Sequence, residues 1–144
     1  MAETKIESKI TSAASTAADV FSVVSNLENL TRVTQLIPQD KVSDMEYGQD
    51  YVRFKVDGLG QKVCIRMVDK EENNFVKFAA EGIPMSLNFW IQMKQVAPED
   101  TRIRLTFKGE LPMFVQMMLG NKLQTGLDQA ADMLAQMPFK EWNA

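Results

Sequence analysis

Apolar and polar residues alternate along most of this chain, and helical spacing of three and four residues occurs only towards its two ends. The first alternating segment is Lys5–Ser12, in which Ile6 and Ile10 lie on one side and charged residues lie on the other. A period of two is typical of a strand with one buried face. The pattern therefore predicts an opening strand over Lys5–Ser12.

Two short helices are predicted to follow this strand. Thr16 is a good N-cap residue, and Asp19 three positions later favours the first turn of a helix. The apolar face of this helix is supplied by Val20, Phe21, Val23 and Val24. Asn26 is placed to cap a second helix. Pro38 forbids the continuation of that helix, because proline has no amide hydrogen to donate.

The segment from Asp40 to Leu111 shows no helical period and contains at least four alternating runs separated by turn residues. It predicts an antiparallel meander, with a tight hairpin at Gly58–Gly60 and an interruption of pairing at Gly82–Met85. Alternation assigns an apolar set to the inner face of this sheet: Val52, Phe54, Val56, Val63, Ile65, Met67, Val76, Phe78, Leu87, Phe89, Ile91, Met93, Ile103, Leu105 and Phe107.

A single long amphipathic helix is predicted from Pro112 to Met137. Its apolar stripe consists of Leu119, Leu123, Leu127, Ala130, Leu134 and Met137. A helix of this length needs a partner in water, so the stripe is expected to lie on the sheet. Gly120 and Gly126 each cost roughly 1 kcal/mol relative to alanine in a helix interior. These glycines would be explained by close packing of the helix or by space for a bound molecule. Simple contact between the helix and the sheet, with no ligand, is the alternative.

The composition is that of one globular domain spanning residues 1–144, since 45% of the 144 residues are hydrophobic and 24% are charged. A net charge of −3 gives no general attraction to nucleic acid or to an anionic membrane. No segment has the apolar length needed to span a bilayer, and the N-terminus lacks the pattern of a leader. The single cysteine, Cys64, excludes an internal disulfide and fits a reducing compartment, so a cytoplasmic protein is expected.

The order β-α-α-β-meander-α, with the Gly58–Gly60 hairpin and the terminal helix opened by Pro112, resembles the START-like superfamily. This superfamily includes the birch pollen allergen, lipid-transfer domains and polyketide cyclase/dehydrase-like proteins. The resemblance covers nearly the whole chain and implies an α+β helix-grip fold, in which a curved antiparallel sheet wraps around a long C-terminal helix. It also implies a cavity between sheet and helix for lipids, sterols, polyketides or other hydrophobic ligands.

An apolar set of residues is expected to hold such a hydrophobic small-molecule ligand: Phe54, Val56, Val63, Ile65, Met67, Phe78, Leu87, Phe89, Ile91, Met93, Leu105, Phe107, Met117 and Leu123. No cofactor is expected, and the absence of histidine removes His-based catalytic and metal sites. Asp44 and Glu46 face the interior in one strand parity and water in the other. The second parity is favoured, because a buried unpaired carboxylate is costly.

Flexible thioethers and a few polar groups complete the predicted pocket. Methionine side chains adapt to variable apolar shapes, as a ligand-tolerant site requires, although they also fill irregular gaps in ordinary cores. The methionines on or near the predicted cavity, or at the start of the long helix, are Met67, Met85, Met93, Met113, Met117 and Met118. The nearest candidates for polar anchors are Ser8, Gln61, Gln95 and Thr101.

The opposite face of the predicted sheet carries nine of the sixteen basic residues: Arg53, Lys55, Lys62, Arg66, Lys77, Lys94, Arg102, Arg104 and Lys108. This face is either an ordinary solvated surface or a docking surface for an acidic protein or RNA. Tyr51 and Trp90 lie on the same face and are candidates for a protein or homodimer contact. The sequence favours a binding protein that sequesters or transports its ligand. The alternatives are a cyclase- or dehydratase-like enzyme and an interaction module that uses the basic face.

Overall fold

The computed structural model describes residues 3–29, 42–56, 62–82, 86–111, 113, 116–117 and 121–142. An eight-stranded antiparallel sheet and its C-terminal helix confirm the predicted α+β helix-grip fold. The elements are β1 (Glu3–Glu7), β2 (Thr11–Ala13), α1 (Ala17–Val24), β3 (Val42–Tyr47), β4 (Tyr51–Val56), β5 (Lys62–Glu71), β6 (Phe75–Glu81), β7 (Leu87–Ala97), β8 (Asp100–Glu110), α2 (Lys122–Ala135) and α3 (Phe139–Trp142).

The strands from β3 to β8 pair in chain order, so the predicted meander is confirmed. The first two strands lie beside the last one in the sheet, since β1 and β2 both pair with β8. The spatial order is therefore β1-β8-β7-β6-β5-β4-β3. The predicted Gly58–Gly60 hairpin lies outside the described residues.

The opening strand is broken, contrary to the prediction of one continuous strand. Between β1 and β2, the hydroxyl of Ser8 accepts a hydrogen bond from the backbone N–H of Leu105 at 2.9 Å. The N–H of Lys9 turns away from the sheet and donates to Asp128 of α2 at 2.8 Å. Ile10 is consequently 61% exposed instead of buried. Alternation alone did not reveal this break, because it carries no information about hydrogen bonds. Here the side-chain oxygens of Ser8 and Asp128 accept from backbone N–H groups that would otherwise pair between strands.

The first helix begins as predicted. The hydroxyl of Thr16 accepts a hydrogen bond from the N–H of Asp19 at 3.2 Å, which satisfies one of the free donors at the start of α1. The side-chain carbonyl of Gln95 accepts a second, from Ala17 at 2.9 Å. Of the predicted second helix, a single 3₁₀ turn at residues 27–29 is described, and residues 30–41 lie outside the described part.

The C-terminal helix is shorter than predicted. Met113, Gln116 and Met117 have helical backbone, but Asn121 lies in a turn, so α2 begins at Lys122 instead of Pro112. It ends at Ala135, and the short α3 follows Pro138. The apolar steps continue across Asn121, and periodicity therefore did not indicate where the helix starts.

Part of the predicted apolar stripe packs against the buried core: Leu127, Ala130 and Leu134 of α2, with Met137 just after it, are in contact with it, whereas Leu123 is half-buried and outside that cluster. Gly126 points away from that contact, because it is exposed and a Cβ built on it would meet no atom within 4 Å. Neither close packing nor a bound molecule explains this glycine. Leu119 and Gly120 lie outside the described residues.

The core lies between the sheet and the helices. Its completely inaccessible apolar side chains are Val20, Val76, Ile103, Leu105, Ala131 and Phe139. Among the described residues, no helix is long and apolar enough to cross a membrane. Within the same ranges, no group of three or more His, Cys, Asp or Glu side chains is placed to hold a metal ion.

Candidate binding cavity

A cavity of about 220 Å³ lies between the inner face of strands β4 to β7 and the helices. The sheet contributes five apolar side chains to its wall: Val52, Ile65, Phe78, Phe89 and Ile91. The helices and the 3₁₀ turn contribute the rest of the described wall: Val23, Val24, Asn26, Leu27, Asn29, Leu134, Met137 and Trp142. A pocket of this kind is predominantly apolar with few polar groups, as small-molecule sites generally are.

Strand register builds the sheet side of the wall. Val52 pairs directly with Ile65, and Phe78 pairs directly with Phe89, so each pair shares one face of the sheet. The rings of Phe78 and Phe89 have centroids 6.2 Å apart and planes inclined at 34°. This tilted contact fixes both rings at the floor of the cavity.

The short helix α3 closes the helical side of the wall. Phe139 is completely buried and anchors α3 to the core. One turn later, the N–H of Trp142 donates to the carbonyl of Pro138 at 3.0 Å, and this turn carries the indole to the cavity. Leu134, near the end of α2, and Met137, just after it, complete the same side.

Two asparagines supply amide groups at the 3₁₀ turn beside the cavity. The side-chain carbonyl of Asn26 accepts from the N–H of Glu28 at 3.1 Å, and the side-chain amide of Asn29 donates to the carbonyl of Val23 at 3.0 Å. In the described part of the chain, the amide of Asn26 and the carbonyl oxygen of Asn29 have no protein partner. Their amide groups contribute almost nothing to the surface of the cavity, which is nearly all apolar.

Charged groups are absent from the described cavity wall. The two carboxylates whose strand parity the sequence left open lie elsewhere. Asp44 and Glu46 are both exposed, so the prediction that these acids are solvated is confirmed. Glu46 lies 3.3 Å from Lys62 and 3.1 Å from Arg53. The hydrogen bond and charge of Lys62, with a smaller effect of Arg53, lower the pKa of the Glu46 carboxyl from its ordinary value of 4.5.

The structure brings four of the predicted ligand-binding residues to the cavity: Ile65, Phe78, Phe89 and Ile91. Three others are buried in the core and do not line it: Val63, Met93 and Leu105. Five are half-buried and do not line it either: Phe54, Met67, Leu87, Phe107 and Leu123. Met117 is 78% exposed, so its predicted place in the pocket is wrong. The side chain of Val56 lies outside the described part of the structure.

The predicted polar anchors hold the backbone instead of a ligand. The hydroxyl of Thr101 donates to the carbonyl of Ser15 at 2.7 Å. The hydroxyl of Ser8 and the side-chain carbonyl of Gln95 accept hydrogen bonds from the backbone N–H groups of Leu105 and Ala17. Gln61 lies outside the described residues. Asn26 and Asn29, which lie beside the cavity, were not among the predicted anchors, and Asn26 has the sequence signal of a helix cap.

The basic outer face is largely neutralised by neighbouring carboxylates. Six of its nine cations form ion pairs: Arg53 and Lys62 with Glu46, Arg66 with Glu81, Arg102 with Asp100, Arg104 with Glu7, and Lys108 with Glu3. Lys77 lies over the ring of Trp90, and the guanidinium groups of Arg53 and Arg66 both lie 5.5 Å from the ring centre of Tyr51. Most of this face is therefore an ordinary solvated surface.

A sheet that holds helices on one face around an apolar cavity defines the START-like helix-grip fold. Known structures with the same fold agree. The chain aligns over 99% of its length with 98% of a norcoclaurine synthase point mutant from Thalictrum flavum in complex with a transition-state analogue, at a TM-score of 0.70 and 16% identity. It aligns over 93% of its length with 91% of the Zhui aromatase/cyclase from Streptomyces sp. R1128, at a TM-score of 0.62 and 18% identity.

A START superfamily protein from Mycobacterium smegmatis is also similar, with a TM-score of 0.56 and 14% identity over 92% of this chain and 98% of that one. No family model matches the chain. No curated protein matches it by sequence. At these identities the likeness is one of fold, and the fold-level resemblance to START-like proteins is confirmed.

Proposed function

We propose that residues 1–144 form one domain that binds a small, uncharged hydrophobic molecule in the cavity between sheet and helices, without transforming it. The observation that carries this proposal is an apolar cavity whose described wall includes no titratable side chain. An ion entering such a site would lose its hydration without gaining a counter-charge, whereas an uncharged apolar molecule would not. Sequestration or transport is the role that such a site supports.

The size of the cavity narrows the class of ligand. A dry protein cavity of about 150 Å³ accepts a benzene ring. The 220 Å³ available here suits one ring with a substituent or two small fused rings, and it is too small for a sterol. The nearly all-apolar surface of the described wall favours a ligand that is itself mostly apolar.

Catalysis of the cyclase or dehydratase kind requires a group that carries a proton to or from the substrate. Asp44 and Glu46 are exposed, and Tyr47 is absent from the described cavity wall. The solved structures named as a synthase and an aromatase/cyclase share the fold at 16% and 18% identity, which is no evidence of shared chemistry. Binding without turnover is therefore the better-supported function.

Calorimetry with two matched variants tests the proposal. Phe89 and Phe107 are direct partners in the β7–β8 register, but Phe89 lines the cavity and Phe107 does not. We expect 2-naphthol to raise the melting temperature of the wild type, since a ligand at 100 times its Kd stabilises by about 2.7 kcal/mol. Phe89→Leu should reduce this shift, while Phe107→Leu should leave it unchanged. Mass spectrometry should recover the probe intact.

The outcomes that contradict the proposal are specific. Equal loss of the shift in both variants would place the probe elsewhere. No shift with 2-naphthol, indole or any similar uncharged probe, and no small molecule released on denaturing the purified protein, would show that the cavity is not a binding site. Chemical conversion of a probe by the wild type would favour the enzyme.

A further inference from the structure

A groove of about 700 Å³ lies on the outer face of the sheet, opposite the cavity. Trp90 and Gln92 on β7 line it, and they alternate with Phe89 and Ile91, which line the cavity. The two sites therefore use opposite faces of one strand. Nothing in the proposed function involves this second site.

Six apolar residues are in the described lining of the groove: Ile10, Phe75, Trp90 and Val96, with the buried Met93 and Ile103 beneath them. Ile10 is 61% exposed because the opening strand breaks, and Val96 is 51% exposed beside a register shift in β7. Lys77 lies 5.1 Å from the ring centre of Trp90 and holds the indole in place. Apolar side chains gathered in one concave surface mark an interaction site more strongly than the same residues scattered singly.

Cations surround this apolar centre. Lys94 and Arg102 are directly opposite each other in the β7–β8 register, and Arg104 follows two residues along β8. Like charges at directly opposed positions are destabilising, so the arrangement costs stability in the isolated chain. Arg102 pairs with Asp100 and Arg104 with Glu7, whereas Lys94 has no ion pair in the described part of the chain.

The charge of the groove is opposite to that of the molecule. Its described lining includes three cations and no carboxylate, although the whole chain carries a net charge of −3. We infer that the groove docks an acidic segment of a partner protein, in which a bulky apolar side chain is flanked by carboxylates. The apolar side chain packs against Trp90 and Val96, and a carboxylate beside it pairs with Lys94, the groove cation that has no ion pair in the described part of the chain.

The form of the site favours a protein segment over nucleic acid. Tryptophan and arginine together are typical of the strongest contacts in protein interfaces. Bases stack on open aromatic faces, and one face of the Trp90 ring is already covered by the ammonium group of Lys77. The overall negative charge also opposes a polyanion, whereas a short acidic segment meets mainly the local cations.

Calorimetric titration with three twelve-residue peptides tests the inference. The first peptide alternates Glu with Leu and Phe, the second has Gln in place of Glu, and the third has Ser in place of the apolar residues. We expect the wild type to bind the first at least tenfold more tightly than either of the others. Raising the salt concentration should weaken this binding, because exposed charge pairs are screened.

Two pairs of matched variants locate the site. Lys94→Glu should weaken binding by about fivefold or more, which corresponds to an exposed ion pair of about 1 kcal/mol. Lys55→Glu makes the same change at an exposed lysine on the same face that also lacks an ion pair in the described ranges, and it should have little effect. Val96→Ser should weaken binding, while Val68→Ser, at a valine that is also 51% exposed, should not.

Equal affinity for the Glu and Gln peptides would overturn the inference, as would equal effects of Lys94→Glu and Lys55→Glu. Tighter binding of a single-stranded oligouridine than of the acidic peptide, with loss in Lys94→Glu, would assign the groove to nucleic acid instead. Because the cavity is on the other face, 2-naphthol should still raise the melting temperature of Lys94→Glu. The two proposals can therefore fail independently.

Discussion

At the scale of the residue, single polar groups decide where regular structure stops. Ser8 is 6% exposed, and its hydroxyl accepts from the N–H of Leu105 while donating to the carbonyl of Lys9 at 2.8 Å. It thereby replaces a backbone acceptor where β1 ends. Alternation correctly placed Ser8 on the inner side of the chain, but it did not predict this role, because a pattern of polarity carries no information about hydrogen-bond partners.

Replacing Ser8 tests that role. Ser8→Ala leaves the N–H of Leu105 buried without an acceptor, which costs about 1–3 kcal/mol of the free energy of unfolding. Chemical denaturation should show this loss as a lower midpoint. Ser12→Ala is the matched control, since Ser12 is exposed on β2, and its effect should be within about 0.5 kcal/mol. Equal midpoints for the two variants would show that the bond adds nothing.

The ion pairs of Glu46 predict a pH dependence. Its pKa is lower in the folded protein than the ordinary 4.5, so the pairs with Lys62 and Arg53 add stability above pH 4.5. That contribution is lost as the pH falls through the folded-state pKa. We expect the stability difference between wild type and Glu46→Gln to be constant near neutrality and to shrink in acid. High salt should reduce it at every pH, whereas a difference that grows in acid would contradict the assignment.

At the scale of the element, Gly82 and Gly126 differ in what surrounds them. Gly82 follows β6 with a φ of +89°, and a Cβ there would lie 2.6 Å from the carbonyl oxygen of Lys62. Gly126 has helical backbone in α2 and open space at its Cβ position. The sequence predicted an interruption near the first. It could not distinguish a packed glycine from an exposed one at the second.

Gly126→Ala should therefore stabilise the protein. Alanine favours the helix by roughly 1 kcal/mol over glycine and meets no neighbour here. The midpoint of urea unfolding should rise with an unchanged dependence on urea concentration. Gly82→Ala is the contrasting variant and should destabilise, because its backbone conformation and the nearby carbonyl both oppose a side chain. A lower midpoint for Gly126→Ala would contradict the open space found around its Cβ position.

At the scale of the whole molecule, alternation predicted the fold well and the cavity less well. Val52, Ile65, Phe78 and Ile91 lie on the inner face as expected, since period two fixes which side of a sheet a residue occupies. It does not fix how far a helix lies from that residue. Leu105 is completely buried while Phe89 lines the cavity, and the difference depends on where the helices lie over the sheet.

The two proposed sites each contain one of the chain's two tryptophans, Trp142 in the cavity and Trp90 in the groove. Their indoles lie on opposite sides of the sheet, so intrinsic emission can be separated by mutation without any dye. In a Trp90→Phe background the emission reports on Trp142 alone, and in a Trp142→Phe background it reports on Trp90 alone. The molecule thus carries an intrinsic optical reporter for each surface, and the occupancy of each can be followed in its own single-tryptophan variant.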